Sequence, residues 1–451
     1  MNSLRFASCR FAARSTLVIR DCGKEMLSVF VFIQTLYRTD EPCQAQKDLG
    51  SKENHATMGR MIQDRLKNVI QEVLDACGVE GVSIILEHPA DIAHGDFSTN
   101  VALVGAKEVR KVPRELAQEI VDALRKKSID GVARIEIAGP GFINFYLSES
   151  FFVGSLQSIL EEQDAFGSSH LYAGRNVMVE YTDPNPFKVF HIGHLMTNVI
   201  GESIARILAW SGAEVKRANY QGDVGLHVAK AIWGMQHMAT MPVPVPFPAE
   251  ETSLAEKTAY LGEAYVSGTK AYEDNKEAAE EIKVINKKVF ERSDEEVNRL
   301  YDLGRAWSLE HFEELYRILG TKFDYYFFES QVAEKGVALV KEHLQKGVFE
   351  ESEGAVVYRG EKDGLHTRVF LTSQGLPPYE AKDLALAKHK YDTYPYDLSV
   401  VITAHEQSAY WQVILAALNK IYPDLAARTK HIGHGMLRRT SGKMSSRKGN
   451  V

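Results

Sequence analysis

The hydrophobic positions of the chain first become periodic at Ile62. From there to Cys77, apolar residues recur every three or four positions, which predicts an amphipathic helix. A second helix is predicted to begin at Pro113, because proline suits the first turn of a helix. The strand-like stretch 133–147 ("ARIEIAGPGFINFYL") follows it. Helices and strands mixed in this way predict a small α+β domain over residues 58–150.

A different alternation begins at Val177. The segment "VMVEYT" is rich in β-forming residues, a helical segment then runs to Gly212, and "EVKRANYQ" (214–221) is predicted to be a second strand. A strand–helix–strand unit of this kind implies a parallel sheet.

A proline-rich stretch ("MPVPVPFP") and a long charged helical region, about 241–320 in all, interrupt this alternation. The alternation is predicted to resume with the strand "TRVFLT", the helix "PPYEAKDLALAKHK", the strand "LSVVIT" and the helix "SAYWQVILAALNKIY". The pattern therefore predicts an α/β fold over 170–451, a doubly wound parallel sheet with a helical insertion.

Residues 1–57 lack sustained periodicity, so we predict a disordered extension. The first twenty residues carry four arginines and no acid, which is similar to an organellar transit peptide. The alternatives are an unstructured extension, or an unused upstream start with Met58 or Met61 beginning the protein. We expect a cytoplasmic protein, or a mitochondrial one if the transit peptide is real.

Composition excludes several classes of protein. A net charge of −7 over 451 residues argues against a protein coated in nucleic acid, although a local basic patch remains possible. The four cysteines show no C-x-x-C spacing, so neither a zinc knuckle nor a disulfide framework is indicated, and no metal site is predicted. No apolar run approaches the roughly 18 residues of a membrane span.

The letters "HIGH" occur twice, at 191–194 and 431–434. The first copy opens a predicted helix, so His191 and His194 share a face of its first turn. Gly193 would let a ligand approach the backbone, and a helix N-terminus favours phosphate. Two imidazole donors could stabilise charge that develops on phosphate oxygens. The alternatives are chance and metal ligation, but no third ligand lies nearby in the sequence.

The last residues, "RRTSGKMSSRKGNV", hold five cations between Arg438 and Lys448 and no acid. A lysine-bearing loop between glycines could clamp a triphosphate. Taken alone, the same stretch could be a solvated basic tail.

"HIGH" followed by "KMSSR" resembles the two signature motifs of class I aminoacyl-tRNA synthetases, with Ser446 and Arg447 departing from the second. The stretches "VEYTDPNPFKVFHIGHLMTN", "GLHTRVFLTSQGLPPYEAKD" and "GKMSSRKG" resemble the arginyl-tRNA synthetase family. "HGDFSTNVAL…AGPGFINFYL" resembles the N-terminal additional domain of that family, which contacts tRNA. The resemblance covers the chain from about Met61 to its end.

This resemblance implies a Rossmann-like class I catalytic domain preceded by the additional domain. It also implies activation of L-arginine with ATP and Mg²⁺, transfer to tRNA(Arg), and a need for tRNA even in the first step. We expect a monomer. The family has an anticodon-binding domain after the lysine loop; we expect it to be absent here and the chain to be a fragment. The alternatives are a small nucleotidyltransferase and a non-catalytic tRNA-binding paralogue.

The resemblance also assigns residues. The expected catalytic residues are His191, His194 and Lys443. The residues expected to bind arginine are Glu180, Asn185, Glu329, Tyr379, Asp383 and Gln407. The residues expected to bind ATP are His191, Gly193, His194, His434, Gly435, Met436, Lys443, Ser445 and Ser446. Apart from the backbone at His434, the second "HIGH" is expected to play no part. The role of Asp183 stays open.

Overall fold

The computed structural model describes residues 58–435. The predictions for residues 1–57 and for the lysine loop lie outside these residues. The chain divides into two units, one of residues 43–169 and one that contains residues 170–451. Between residues 58 and 435, none of the helices is long and apolar enough to cross a membrane.

The first unit is an α+β structure built on a three-stranded antiparallel sheet in the order β1-β3-β2. The apolar face predicted between Ile62 and Cys77 is buried, and the helix predicted at Pro113 begins there. The elements are α1 Met58–Ala76, β1 Phe97–Thr99, α2 Val101–Gly105, α3 Pro113–Lys126, β2 Val132–Ala138, β3 Phe142–Leu147 and α4 Glu149–Glu162.

The second unit is built on a five-stranded parallel sheet in the order β11-β10-β4-β5-β6. Its first elements are β4 Asn176–Glu180, α5 Ile192–Trp210, β5 Glu214–Gln221, α6 Leu226–His237, α7 Leu254–Asp274, α8 Lys276–Glu291, α9 Glu295–Leu319 and β6 Tyr325–Phe328. The remaining elements are α10 Glu329–Gln345, β7 Glu350–Ser352, β8 Ala355–Tyr358, β9 Arg368–Leu371, α11 Tyr379–Thr393, β10 Leu398–Ala404, α12 Ser408–Ile421, α13 Pro423–Arg428 and β11 Thr429–His434.

One strand assignment was wrong. The stretch "TRVFLT" does form a strand, β9, but it belongs to a separate antiparallel sheet in the order β7-β8-β9. Glu353 and Gly354 have φ of 52° and 78°, the two positive values that a tight hairpin turn requires. This turn pairs β7 with β8, and β9 adds to β8. The place in the parallel sheet is taken instead by β6, four aromatic residues directly before α10.

The order of the parallel strands determines where a ligand can bind. From β4 the chain adds β5 and then β6 on one side, and later adds β10 and β11 on the other. In open sheets of this type, ligands bind at the carboxyl ends of the strands where the order reverses. That point lies between β4 and β10. Glu180 ends β4, Ala404 ends β10, and the loop after β4 leads to His191.

Candidate active site

The first "HIGH" copy caps helix α5 with its own side chains. His191 is the residue before the helix, and its Nδ1 accepts a hydrogen bond of 3.1 Å from the Gly193 N–H. The His191 N–H in turn donates to Nδ1 of His194 at 3.2 Å. The two imidazoles stack with their centroids 3.9 Å apart and their planes 13° apart. This reciprocal cap satisfies two N–H groups that a helix end otherwise leaves unpaired.

The cap also determines where the imidazole protons are. Burial lowers the pKa of both His191 and His194, and the nearby Lys188 lowers both further, so both rings are neutral at pH 7. Because each Nδ1 accepts a backbone N–H, each neutral ring carries its proton on Nε2. The helix N-terminus therefore presents two Nε2–H donors without adding a net charge.

Gly193 leaves space for the capping ring, and Thr197 connects helix α5 to strand β11. A Cβ on Gly193 would lie 2.9 Å from Cε1 of His191, so the glycine leaves room for the capping ring. The Thr197 hydroxyl lies 2.8 Å from Nε2 of His434 and 3.0 Å from the Gly193 carbonyl. His434 is buried, with its Nδ1 2.7 Å from the Gly435 carbonyl. The end of β11 is thus hydrogen-bonded to the first turns of α5.

The loop that leads to His191 is held by the helical insertion. Phe187 has a φ of 66°, an uncommon value for a bulky residue, and its side chain is fully buried. Its N–H donates to the Ser308 hydroxyl at 2.9 Å, and its ring stacks on that of Tyr301. A Cβ on Gly304 would overlap the Phe187 ring. Helix α9 therefore fixes the loop before the histidine pair.

Gly304→Ala is expected to destabilise the protein by about 1–3 kcal/mol, as overpacking of a core does. Helix propensity alone predicts the opposite sign, a gain of about 1 kcal/mol for alanine over glycine inside a helix. Chemical denaturation measures the difference. The double variant Gly304→Ala with Phe187→Leu should recover part of the loss, since leucine removes ring atoms from the contact. A more stable single variant would contradict the anchoring.

The second "HIGH" copy lies on strand β11, as predicted for a strand-like stretch. The His431 ring stacks on Trp411 at 5.4 Å, and its Nε2 lies 2.8 Å from the Thr403 hydroxyl. Burial, with a smaller effect of His434, lowers the pKa of His431 to about 4. His431 therefore packs as a neutral side chain between β10 and α12.

Acidic side chains gather near the carboxyl end of β4, and two of them are paired with buried lysines. Glu180 accepts a hydrogen bond of 2.7 Å from Lys390 Nζ, and both side chains are 3% exposed. Glu329, at the start of α10, forms an ion pair with Lys382. Burial raises the pKa of Glu329, and Lys382 opposes this rise. These pairs compensate two buried charges that would otherwise be costly.

The third acid, Asp383, forms no ion pair with a lysine or arginine of the described part of the chain. Its Oδ2 accepts a hydrogen bond of 2.6 Å from the Tyr410 hydroxyl. Burial raises the pKa of Asp383 to about 7; Glu180 and Glu329 raise it, whereas Tyr410 and Lys382 oppose the rise. Asp383 is therefore a buried carboxyl poised to ionise near neutral pH when a cation approaches.

Asn185 and Asp183 also reach this region. A Cβ on Gly222 would overlap the amide oxygen of Asn185 and would lie 2.8 Å from Oε1 of Glu329, so both side chains lie against this glycine. Asp183 Oδ1 accepts the Tyr220 N–H at 2.8 Å. Burial and then Glu180 raise the pKa of Asp183 well above its usual value. The Asp183 carboxyl thus holds the backbone of β5.

The remaining expected residues are less enclosed. Tyr379 begins α11 and is 49% exposed, and Lys382 Nζ lies 4.7 Å from its ring centroid. Gln407 lies in the exposed turn after β10. Four expected residues fall outside the described part of the chain: Met436, Lys443, Ser445 and Ser446.

Sequence reasoning missed the polar residues that hold the acids. Lys382 and Tyr410 stand inside segments that were predicted only as helices, and Lys390 ends one of these segments. The helix Tyr379–Thr393 also carries Glu380, Lys388 and His389, so the sequence alone did not mark Lys382 and Lys390 as buried. The sequence also gave no sign that the Tyr220 hydroxyl is buried beside the same acids.

Two family models match the chain. The model described as "tRNA synthetases class I (R), catalytic domain" matches residues 155–451. The model described as "Arginyl tRNA synthetase N terminal domain" matches residues 61–147. The arginine–tRNA ligase of Clostridium perfringens is 30% identical over 398 residues, covering 87% of this chain and 66% of the relative. That of Lactobacillus delbrueckii subsp. bulgaricus is 32% identical over 386 residues, covering 85% and 65%.

Solved structures share the fold. The arginyl-tRNA synthetase of Plasmodium falciparum has a TM-score of 0.59 at 21% identity, covering 83% of this chain and 65% of that one. The enzyme of Thermus thermophilus has a TM-score of 0.55 at 24% identity, covering 86% and 67%. The chain spans slightly less than two thirds of the length of the two curated relatives, 66% and 65%. The two family models, in the order of the two units, identify the chain as a member of the class I arginyl-tRNA synthetase family.

Proposed function

We propose that this chain activates L-arginine with ATP and transfers the arginyl group to tRNA(Arg). In the first step, a carboxylate oxygen of arginine forms a bond to the α-phosphorus of ATP. The bond between that phosphorus and the bridging oxygen breaks, and pyrophosphate leaves. In the second step, a terminal hydroxyl of the tRNA takes the arginyl group and AMP leaves. Family membership supports this reaction, and the geometry supplies a role for each end of the substrate pair.

At the phosphate end, the N-terminus of α5 supports the proposal. The Nε2–H groups of His191 and His194 can donate to phosphate oxygens on which negative charge develops, and the helix dipole has the matching sign. Mg²⁺ carried by ATP shares the charge of the triphosphate. Since the pair is neutral, its donors need no change of protonation during the reaction.

At the arginine end, the charge balance of the buried acids is the observation that carries the proposal. Lysines already neutralise Glu180 and Glu329, whereas among residues 58–435 the hydrogen bond to the Asp383 carboxyl comes from a neutral tyrosine. A guanidinium is the cation that fits a carboxylate through two parallel N–H donors. We therefore assign the guanidinium to Asp383, and the amine and carboxylate of arginine to the region of Glu180 and Asn185.

Arginine affinity should depend on pH through Asp383. Its pKa of about 7 in the free protein falls when a guanidinium binds, so binding releases a proton below pH 7. The dissociation constant of arginine should be about tenfold higher at pH 6 than at pH 8, the ratio of ionised fractions for a group with this pKa. Calorimetric titration across this range measures it. Asp383→Asn should remove most of the dependence.

Ionisation of Asp383 improves arginine binding but lowers the free energy of unfolding of the free protein. A carboxyl whose folded pKa lies above its unfolded value stabilises the fold at low pH, and this contribution disappears as the pH rises through about 7. Free protein should therefore lose stability between about pH 4 and pH 7 from this group, while arginine binding improves with pH over the same range and levels off above about pH 8.

ATP–pyrophosphate exchange across all twenty amino acids, with and without tRNA(Arg), tests the proposed function. We expect exchange with arginine and not with lysine, and a larger rate with tRNA present. The alternative is a non-catalytic tRNA-binding member or fragment of the family, which would bind tRNA(Arg) but show no exchange with any amino acid. Exchange that needs no amino acid would instead indicate a different nucleotidyltransferase.

A further inference from the structure

Tyr220 has a buried hydroxyl that no other part of the mechanism uses. It lies on β5, one residue before the end of the strand, at the edge of the sheet where the acids gather. Within residues 58–435, no atom is in hydrogen-bonding position to this hydroxyl. A buried polar group without a partner costs about 1–3 kcal/mol, so a water or a ligand that supplies the missing hydrogen bond is favoured there.

The surroundings of this hydroxyl are acidic. Burial raises the pKa of Tyr220 well above its usual value, and the carboxylates of Glu329, Asp383, Glu180 and Asp223 raise it further. The proton therefore stays on the oxygen at any physiological pH. Near these acids, a neutral phenol offers two lone pairs to a cationic donor without adding a charge.

Each of these carboxylates already has another partner. Lys382 pairs with Glu329, Lys390 with Glu180, and the Tyr410 hydroxyl with Asp383. The fourth, Asp223, accepts hydrogen bonds from Tyr301, Arg305 and Ser330. The tyrosine hydroxyl thus stands beside the acids but outside their hydrogen bonds.

The position of Tyr220 is fixed from the backbone. The Tyr220 N–H donates to Oδ1 of Asp183 at 2.8 Å, and Tyr220 pairs with Phe327 of β6 in the parallel sheet. The ring packs beside a buried cluster that includes Phe327 and Ala385. These contacts fix the hydroxyl oxygen beside the acids, so it is preorganised for a donor that reaches them.

We propose that the Tyr220 hydroxyl is a further specificity-determining group of the arginine pocket, accepting an N–H of the substrate guanidinium beside Asp383. This inference rests on the proposed function. A guanidinium has five N–H donors, more than one carboxylate can accept, whereas an ammonium has three. A site whose buried polar group stays unpaired without the correct ligand rejects ligands that lack the matching group. Tyr220 therefore favours arginine over lysine.

The test is the affinity of arginine for Tyr220→Phe, measured by calorimetric titration and by the thermal shift that arginine produces. We expect the dissociation constant to rise about tenfold or more, as for loss of a hydrogen bond to a charged group. The melting temperature of the free variant should equal or exceed that of the unchanged protein, because the substitution removes an unpaired buried hydroxyl. The ratio of the dissociation constants of lysine and arginine should decrease.

Tyr316→Phe is the matched control. The Tyr316 hydroxyl is also buried, and the side chain of Gln221 lies near enough to lower its pKa. Burial and Asp183, not the acids Glu180, Glu329 and Asp383, raise that pKa. Its ring packs edge-on against Phe323. Tyr316→Phe should leave the arginine affinity unchanged.

Two results would overturn the inference: an arginine dissociation constant of Tyr220→Phe within twofold of the unchanged protein, or equal losses of affinity in both variants. Failure of the proposed function is recognised separately, because the unchanged protein would then show no response to arginine at all.

Discussion

Replacing His194 by asparagine is expected to lower kcat for arginine-dependent ATP–pyrophosphate exchange by at least about 100-fold, the usual loss when one preorganised donor is removed. Asparagine places an oxygen where Nδ1 stood, so it can still accept the His191 N–H that caps α5. It has no donor where Nε2–H stood. The variant therefore separates the chemistry of the ring from its structural role, and KM for ATP should change much less than kcat.

Two further variants complete this test. His194→Gln places an amide N–H near the former Nε2 but gives up the cap, so its melting temperature should fall while more of kcat survives. His431→Gln, in the second "HIGH" copy, can keep the hydrogen bond to Thr403 and should leave kcat within a few-fold. Equal losses of kcat at 194 and 431 would contradict the assignment of the site to α5.

Asp383→Asn is expected to raise KM for arginine by about tenfold to 100-fold, because it replaces a charge-assisted contact worth about 1.5–3 kcal/mol with a neutral one. The amide oxygen can still accept the Tyr410 hydroxyl, so the helix should pack as before. KM for ATP should stay within twofold. The free protein should be at least as stable at pH 8, where the unchanged carboxyl is ionised at a cost to folding.

Asp392→Asn is the control on the same helix. Asp392 is an exposed residue of α11 that pairs with Lys388, and its neutralisation should affect neither KM. Surface pairs of this kind contribute little to stability. If Asp383→Asn raised KM for ATP as much as KM for arginine, the guanidinium would not bind at Asp383.

Much of the fold could be predicted from the sequence, since long periodic segments decide their own structure. The helices at Ile62, Pro113 and Ser408 and the strand Glu214–Gln221 are confirmed. The sequence could not predict that β6 joins the parallel sheet and β9 the antiparallel one. Each strand has only four residues, too few for a pattern that distinguishes the two kinds of sheet. Which sheet each joins depends on a hairpin turn at Glu353 and on pairing between distant segments.

The candidate site was also predictable only in part from the sequence. The resemblance indicated the acids, and helical spacing placed Asp383 one turn after Tyr379. The partners of the acids could not be predicted, because Lys390 pairs with a residue 210 positions away and Tyr410 with one 27 positions away. These pairs leave Asp383 as the acid without a lysine partner among residues 58–435, so the charge balance of the three acids becomes visible only in the folded chain.

The most direct test of arginine recognition by the buried carboxylates is a comparison of arginine with citrulline by calorimetric titration at pH 8. Citrulline has the same shape but carries a neutral urea group in place of the guanidinium, so it offers Asp383 hydrogen bonds without the charge. We expect arginine to bind at least about tenfold more tightly than citrulline, the difference between a charge-assisted and a neutral hydrogen bond. Equal affinities for arginine and citrulline would contradict recognition of the substrate by the buried carboxylates.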